Sequence, residues 1–148
     1  MRLVYVGNWY GAHEPFKALF KEVTRWDTNV ELSDNDVVLF GGGSDISPTI
    51  YNKICNPVTG ATNKLSNRDE IEVEVFKQGS KAGSKFVGIC RGAQLLCALS
   101  GGYLVQHVDN HASLEGHDIL TNDGRVMNVS SSHHQMMVPF DVPHDNGC

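Results

Sequence analysis

Cys90 is the residue around which chemistry is most readily built. It stands in Gly88-Ile89-Cys90-Arg91-Gly92, between the apolar run Phe86-Val87-Gly88-Ile89 and a stretch of helical character over residues 91–100. A thiol at the corner between a strand and a helix, with glycine two residues away on either side, is the sulfur form of the G-x-nucleophile-x-G elbow. Beta carbons at those flanking positions would crowd so tight a turn. The free N–H groups and the positive dipole end at a helix start favour a thiolate there. Such a sulfur attacks a carbonyl carbon and holds the acyl group as a thioester until water removes it. Gln94 lies one helical turn after Cys90 and shares its face, within reach of a ligand bound over the sulfur.

Two further groups bear on the same chemistry. Gly41-Gly42-Gly43 follows the strand-like Asp36-Val37-Val38-Leu39-Phe40. A glycine triplet is a flexible turn in one reading. At the carboxyl end of a strand it is also a source of backbone N–H donors for a developing oxyanion. Ser131-Ser132-His133-His134-Gln135 is a second polar patch, although paired histidines by themselves usually mark an exposed loop. His107 and His111 have the spacing of metal ligands on a helix, but Val108-Asp109-Asn110 is poor helix sequence and no cysteine joins them. They read, with His117, as loop histidines near a pocket mouth, and neither a metal nor a cofactor is expected.

These groups need a frame. Residues 2–7 read as a buried, central first strand, residues 14–24 as a covering helix begun near Pro15, and residues 29–32 as a short strand. A polar stretch over residues 52–67 reads as a long surface loop of the kind that forms lids. Asn67 begins a capping-box pattern. The following Ile71-Glu72-Val73-Glu74-Val75-Phe76 alternates like a strand, yet a helix is expected, because parallel strands at 36–40 and 86–89 need a crossover. In it Ile71 and Val75 stack at i, i+4, while Arg68, Asp69 and Glu72 read as a solvated or capping set. Leu95, Leu96 and Leu99 are core candidates, and Cys97 reads as a buried small hydrophobe. Residues 117–121 and 125–130 form a hairpin about Asn122-Asp123-Gly124. Residues 136–148 carry no clear element.

Bulk properties narrow the setting. The 148 residues fit a single domain spanning 1–148, with 12 basic against 17 acidic residues and a net charge of −5. That balance points away from nucleic acid and anionic membranes as partners. No apolar run reaches the ~20 residues of a membrane span, and a cytoplasmic location is the default expectation. Cys55, Cys90, Cys97 and Cys148 form no C-x-x-C pair and read as reduced thiols.

The segment GICRGAQLL followed by GGYL resembles the nucleophile region of the class I glutamine amidotransferase-like family. GGGSDISPTIY, the Arg68-Asp69 pair and SSHHQ resemble its gamma-glutamyl hydrolase branch, as does Arg91 after the cysteine. The resemblance implies a flavodoxin-like three-layer α/β/α fold, with a mostly parallel central sheet and the elbow between the central pair of strands. It also implies Cys90 as nucleophile and an oxyanion hole from Gly42 or Gly43 with the N–H of Arg91. Gln94, Ser131, Ser132, His133, His134 and Gln135 would then form the wall that holds a gamma-glutamyl substrate. The family's later H-P-E segment, which supplies the catalytic His and Glu, is missing from these residues. His133, His134 and His144 are candidate replacements for the base.

Three expectations stand side by side. One is a hydrolase that cleaves a gamma-glutamyl amide through a glutamyl thioester. Another is a glutaminase that delivers ammonia to a synthase partner. The third is a non-catalytic binding domain, or a chain completed by a partner polypeptide. An uncovered sheet edge would also favour a homodimer.

Overall fold

Asp36–Phe40 forms a strand, β3, in which all five residues are buried. Burial on both faces is what a parallel strand covered by two layers requires. In the computed structural model, residues 1–7, 11, 13–109, 111–112 and 115–139 are described. There β3 pairs in parallel with β1 (Arg2–Val6) on one side and with β4 (Lys85–Gly88) on the other, and β1 pairs in parallel with β2 (Glu22–Arg25). The helix α1 (Asn67–Ala82) crosses from β3 to β4, and α2 (Arg91–Leu99) follows β4. This is a flavodoxin-like α/β arrangement, a four-stranded parallel sheet flanked by helices.

The two-residue strand period sorts the core into layers. Val6, Val38 and Phe40 meet Val75 of α1 and Leu95 and Ala98 of α2. From the opposite face Leu3, Val37 and Leu39 meet Phe16, Phe20 and Val23. Each large apolar side chain fully buried in this way contributes about 1.5–3 kcal/mol. The site therefore rests on the best-packed part of the molecule.

Residues 67–82 are helical despite their alternation. Ser66 is the N-cap, one residue before the expected Asn67. Its hydroxyl accepts from the Asp69 N–H at 3.1 Å, while the Asp69 carboxylate accepts from the Ser66 N–H at 2.9 Å. The buried stripe of α1 runs through Asp69, Glu72, Val75 and Gly79. Ile71 lies outside it, 45% exposed, so two carboxylates occupy the face where an Ile71–Val75 stack was expected.

Elsewhere the chain departs from expectation for local reasons. The helix expected over 14–24 is a 3-10 helix confined to Glu14–Leu19. Pro15 supplies no N–H, and β-branched Val23 and Thr24 join β2 instead. The strand expected over 29–32 is a turn, in which the Asp27 side chain accepts from the Asn29 N–H at 2.7 Å and its carbonyl from the Val30 N–H at 3.1 Å.

The elbow does not lie between the central strands. The sheet order is β2-β1-β3-β4, so β1 and β3 are central and β4 stands at the end. After α2 the described chain leaves this sheet. Its strand β5 (Tyr103–Val105) pairs antiparallel with β8 (Met136–Val138), an element absent from the expectations. The hairpin of β6 (His117–Leu120) and β7 (Val126–Val129) forms as expected. No helix among the described residues is long and apolar enough to cross a membrane. His144 and Cys148 lie outside the described residues.

Candidate active site

The backbone at Cys90 has φ 52° and ψ −113°, a region that side chains with a Cβ rarely adopt. Hydrogen bonds hold the turn from both directions. The Ile89 N–H donates to the Phe40 carbonyl at 3.0 Å, and the Cys90 carbonyl accepts from Ala93 and Gln94 at 2.9 and 3.1 Å. Flanking side chains would not fit. A Cβ on Gly92 would run into the Phe40 carbonyl, and one on Gly88 into the backbone of Gly92 and Ala93. The thiol itself is exposed and, among the described residues, has no hydrogen-bond partner.

The glycine loop passes directly beside this sulfur. A Cβ at Gly42 would lie 3.4 Å from the Cys90 Cβ and 4.0 Å from its Sγ, in ordinary contact with that side chain. Gly43 has φ 139°, and the space for a side chain there is filled by the Arg68 guanidinium. Among the described residues, the N–H groups of Gly42, Gly43 and Arg91 have no acceptor. Backbone N–H groups left open in this way can receive a negatively charged oxygen.

On the other side of Cys90 lies a cavity of about 340 Å³, lined by Cys90, Ala93, Gln94, Ser132, His133, Gln135, Met136 and Met137. Gln135 is only 2% exposed, and neither its amide oxygen nor its amide nitrogen has a partner. A buried amide left so costs about 1–3 kcal/mol for each unpaired group, which a ligand with both a donor and an acceptor would recover. The His133 Nδ1 lies 3.0 Å from the Gln135 carbonyl. A carbonyl only accepts, so Nδ1 is the donor in this bond.

Other members of the polar patch face elsewhere. Ser131 is buried and outside the cavity lining. The His134 Nε2 lies 3.0 Å from an Asp45 carboxylate oxygen, and its Nδ1 lies 3.2 Å from the His107 Nδ1. His111 packs against His133 and His117 at ring separations of 4.7 and 5.0 Å. Removal from water, and then its neighbours His133 and His117, hold His111 below the usual histidine range. His111 and His107 thus lie against His133 and His134, while His117, at the start of β6, touches His111.

Beneath the elbow lies a buried charge network. Arg91, next to Cys90, is 1% exposed, and its guanidinium pairs with Asp69 at 2.5 Å and with Glu72. The second Glu72 oxygen accepts from the Arg68 Nε at 2.8 Å, and the Arg68 Nη2 donates to the Gly41 carbonyl at 2.9 Å. Burial holds Arg68 below the usual arginine range, against the raising effect of its Glu72 hydrogen bond. Arg68, Asp69 and Glu72 are therefore not a solvated set, although Asp69 does cap α1. Arg91 screens the two carboxylates where water cannot.

Residues 21–141 match the family model of peptidase C26. The chain belongs to the peptidase C26 family. It is thereby class I glutamine amidotransferase-like, and similarity to individual proteins agrees. It is 35% identical over 78 residues to the glutamine amidotransferase-like protein YvdE of Lactococcus lactis subsp. lactis, across 53% of this chain and 32% of the relative. A YvdE homolog of Lactococcus lactis subsp. cremoris is 28% identical over 121 residues, across 69% and 63%. The glutamine amidotransferase-like protein RP404 of Rickettsia prowazekii is 33% identical over 82 residues, across 55% and 28%. The chain thus spans less than two thirds of the length of these relatives.

In this C26 chain, the residues singled out in the sequence fall into two groups. Cys90, Gln94, Ser132, His133 and Gln135 share one cavity, whereas Gly42, Gly43, Arg91, Ser131 and His134 are not part of its lining, although Gly42 passes beside Cys90. The side chains of Arg91 and Glu72 went unnoticed as a functional pair. A signal existed, since Asp69 and Glu72 are three residues apart on one helix face and a lone arginine follows the cysteine.

Proposed function

We propose that this chain carries the acyl-transfer site of a cysteine hydrolase of the gamma-glutamyl hydrolase branch. The observation that carries the reading is Cys90, exposed and held at positive φ, with the Gly42 backbone beside it and the N–H groups of Gly42, Gly43 and Arg91 without acceptors among the described residues. The Cys90 thiolate attacks the gamma-carbonyl carbon of a glutamyl amide. The oxyanion is received by the N–H groups of Gly42, Gly43 and Arg91, and the amine departs with a proton. Water then cleaves the thioester, releasing glutamate and restoring the thiol.

The ligand's other end matches the cavity wall. An alpha-carboxylate accepts from the Gln135 amide nitrogen, and an alpha-ammonium donates to its oxygen. Gln94, 7% exposed and one turn from Cys90, adds a second amide. His133, its Nδ1 bonded to the Gln135 carbonyl, is the proton carrier that lines this cavity. The names of the relatives favour a second reading, glutamine as substrate with ammonia passed to a synthase partner.

Intact-mass labelling with a glutamine-mimicking electrophile, beside Cys90→Ala and with glutamate release assayed in parallel, tests both readings. Label on Cys90 with glutamate release from gamma-glutamyl amines establishes the hydrolase. Turnover restricted to glutamine and raised by a partner favours the glutaminase. Label without turnover leaves a binding domain, and no label on Cys90, with Cys55 and Cys97 as internal controls, refutes the nucleophile.

A further inference from the structure

We propose that Glu72, Asp69 and Arg68 are positioning residues for the oxyanion donors, holding the glycine loop and the elbow in one fixed relation. The inference rests on the hydrolase reading of Cys90. The donors come from two separate places, Gly42 and Gly43 in the loop after β3 and Arg91 in the turn after β4. Backbone pairing of the two strands ends at Phe40 and Gly88, apart from one further bond from the Ile89 N–H to the Phe40 carbonyl. Beyond that point the charge network spans the gap.

Glu72 is its centre. One carboxylate oxygen takes Arg91, which belongs to the elbow, and the other takes Arg68, which holds the Gly41 carbonyl. Asp69 binds the second branch of the Arg91 guanidinium at 2.5 Å and is itself fixed by the cap at Ser66. Arg68 also fills the space against Gly43. Two guanidinium and two carboxylate groups leave the set neutral, and the side chains of Arg91, Asp69 and Glu72 are at most 3% exposed.

Cohesion is a poor reason for such a set. Buried ion pairs are often no more stabilising than apolar packing of the same volume. What they add here is direction, because each guanidinium fork accepts a carboxylate only along set lines. Oxyanion donors act through placement that errors of about 1 Å degrade about 100-fold. A network that grips both walls answers that need.

The test compares two reactions of Cys90 in the 148-residue protein and its Glu72→Gln variant. In acylation by a gamma-glutamyl p-nitroanilide, the sulfur bonds to the carbonyl carbon through an oxyanion and p-nitroaniline leaves with the thiol proton. In alkylation by iodoacetamide, the sulfur displaces iodide and no oxyanion forms. The expected result is a fall in acylation kcat of about 10–100-fold, with KM and the alkylation rate within about threefold of the parent. Unchanged acylation, or an equal fall in both reactions, overturns the proposal.

If the parent is not acylated at all, the hydrolase reading fails instead. Positioning is then read from backbone amide NMR signals. Those of Gly42, Gly43 and Arg91 should shift in Glu72→Gln while those of Leu3 and Val4 stay, and unmoved loop and elbow signals overturn the proposal. Should Glu72→Gln fail to fold, Arg68→Lys carries the same comparisons. It keeps the charge but loses the fork, and about a tenfold selective fall in acylation is expected, its absence counting against the proposal.

Discussion

Replacing Cys90 by glycine should make this protein more stable. Cys90 has φ 52° and ψ −113°, and a residue held in so sparsely populated a region stores about 1–3 kcal/mol. Glycine adopts those angles freely, so Cys90→Gly releases most of that strain. Against it stands the greater freedom glycine gives the unfolded chain, about 0.5–1 kcal/mol. The thiol is exposed and has no hydrogen-bond partner among the described residues, so little burial or bonding is lost with it. The net gain is about 1 kcal/mol, which for a chain of this length raises Tm by about 2–4 °C. Cys90→Ala is the matched control, since alanine keeps the Cβ and therefore the strain, and its Tm should stay within about 1 °C of the parent. Thermal unfolding of the three proteins, followed by circular dichroism at one pH, makes the comparison. A glycine variant no more stable than the alanine variant would refute strain at the elbow.

Two other perturbations probe the frame. Gly92→Ala places a Cβ against the Phe40 carbonyl, where no flexible side chain can yield. A loss of about 3 kcal/mol is expected in chemical denaturation, together with lost selectivity of thiol labelling at Cys90. Gly124→Ala is its control, being at positive φ with nothing near the added carbon, and should cost only about 1 kcal/mol. At the amino ends of β1 and β3, the Arg2 guanidinium grips Asp36 through two hydrogen bonds of 2.8 Å. That bond, with help from Ser33, holds the Asp36 carboxyl below the usual carboxylate range. The folded protein thus binds the proton less readily than the unfolded chain does. The stabilisation is complete above about pH 5 and is lost as pH falls below 4 through the lowered value. Asp36→Asn should flatten the stability curve over that range, as measured by urea unfolding at stepped pH.

The parts of the site that could be read in the sequence are those whose cause is local. Gly88 and Gly92 announce the elbow because its contacts forbid a Cβ at the positions two residues either side of Cys90, and the helix at 67–82 is announced by its cap. The parts that could not be read depend on partners distant in the chain. Glu72 looks like a solvent-facing acid until Arg91, 19 residues on, lies against it. Met136–Val138 is only three residues long and half exposed, and becomes a strand through Tyr103–Val105. Glu22–Arg25, a four-residue edge strand, continues the apolar spacing of the segment before it and so passes for helix. Gln135 is a different case. Its residue type was legible, but its unpaired burial is a property of the cavity alone.

Strain at Cys90 and charge beneath it are two sides of one requirement. A strained turn persists only where its surroundings leave it no alternative, and three constraints converge on this one. Gly92 is seated on the Phe40 carbonyl, Leu95 and Ala98 anchor α2 in the core, and Arg91 is fixed to α1 by two carboxylates. The first two constraints are steric and limit how near the helix comes to the sheet, leaving rotation of the elbow about the strand axis less restricted. An arginine fork held by Asp69 and Glu72 resists that rotation, because turning the elbow would break a charged hydrogen bond where no water can replace it. An apolar residue at position 91 could fill the same space but would slide. Hence a charged side chain is found directly after Cys90 and almost wholly out of solvent, a placement that stability alone would not favour.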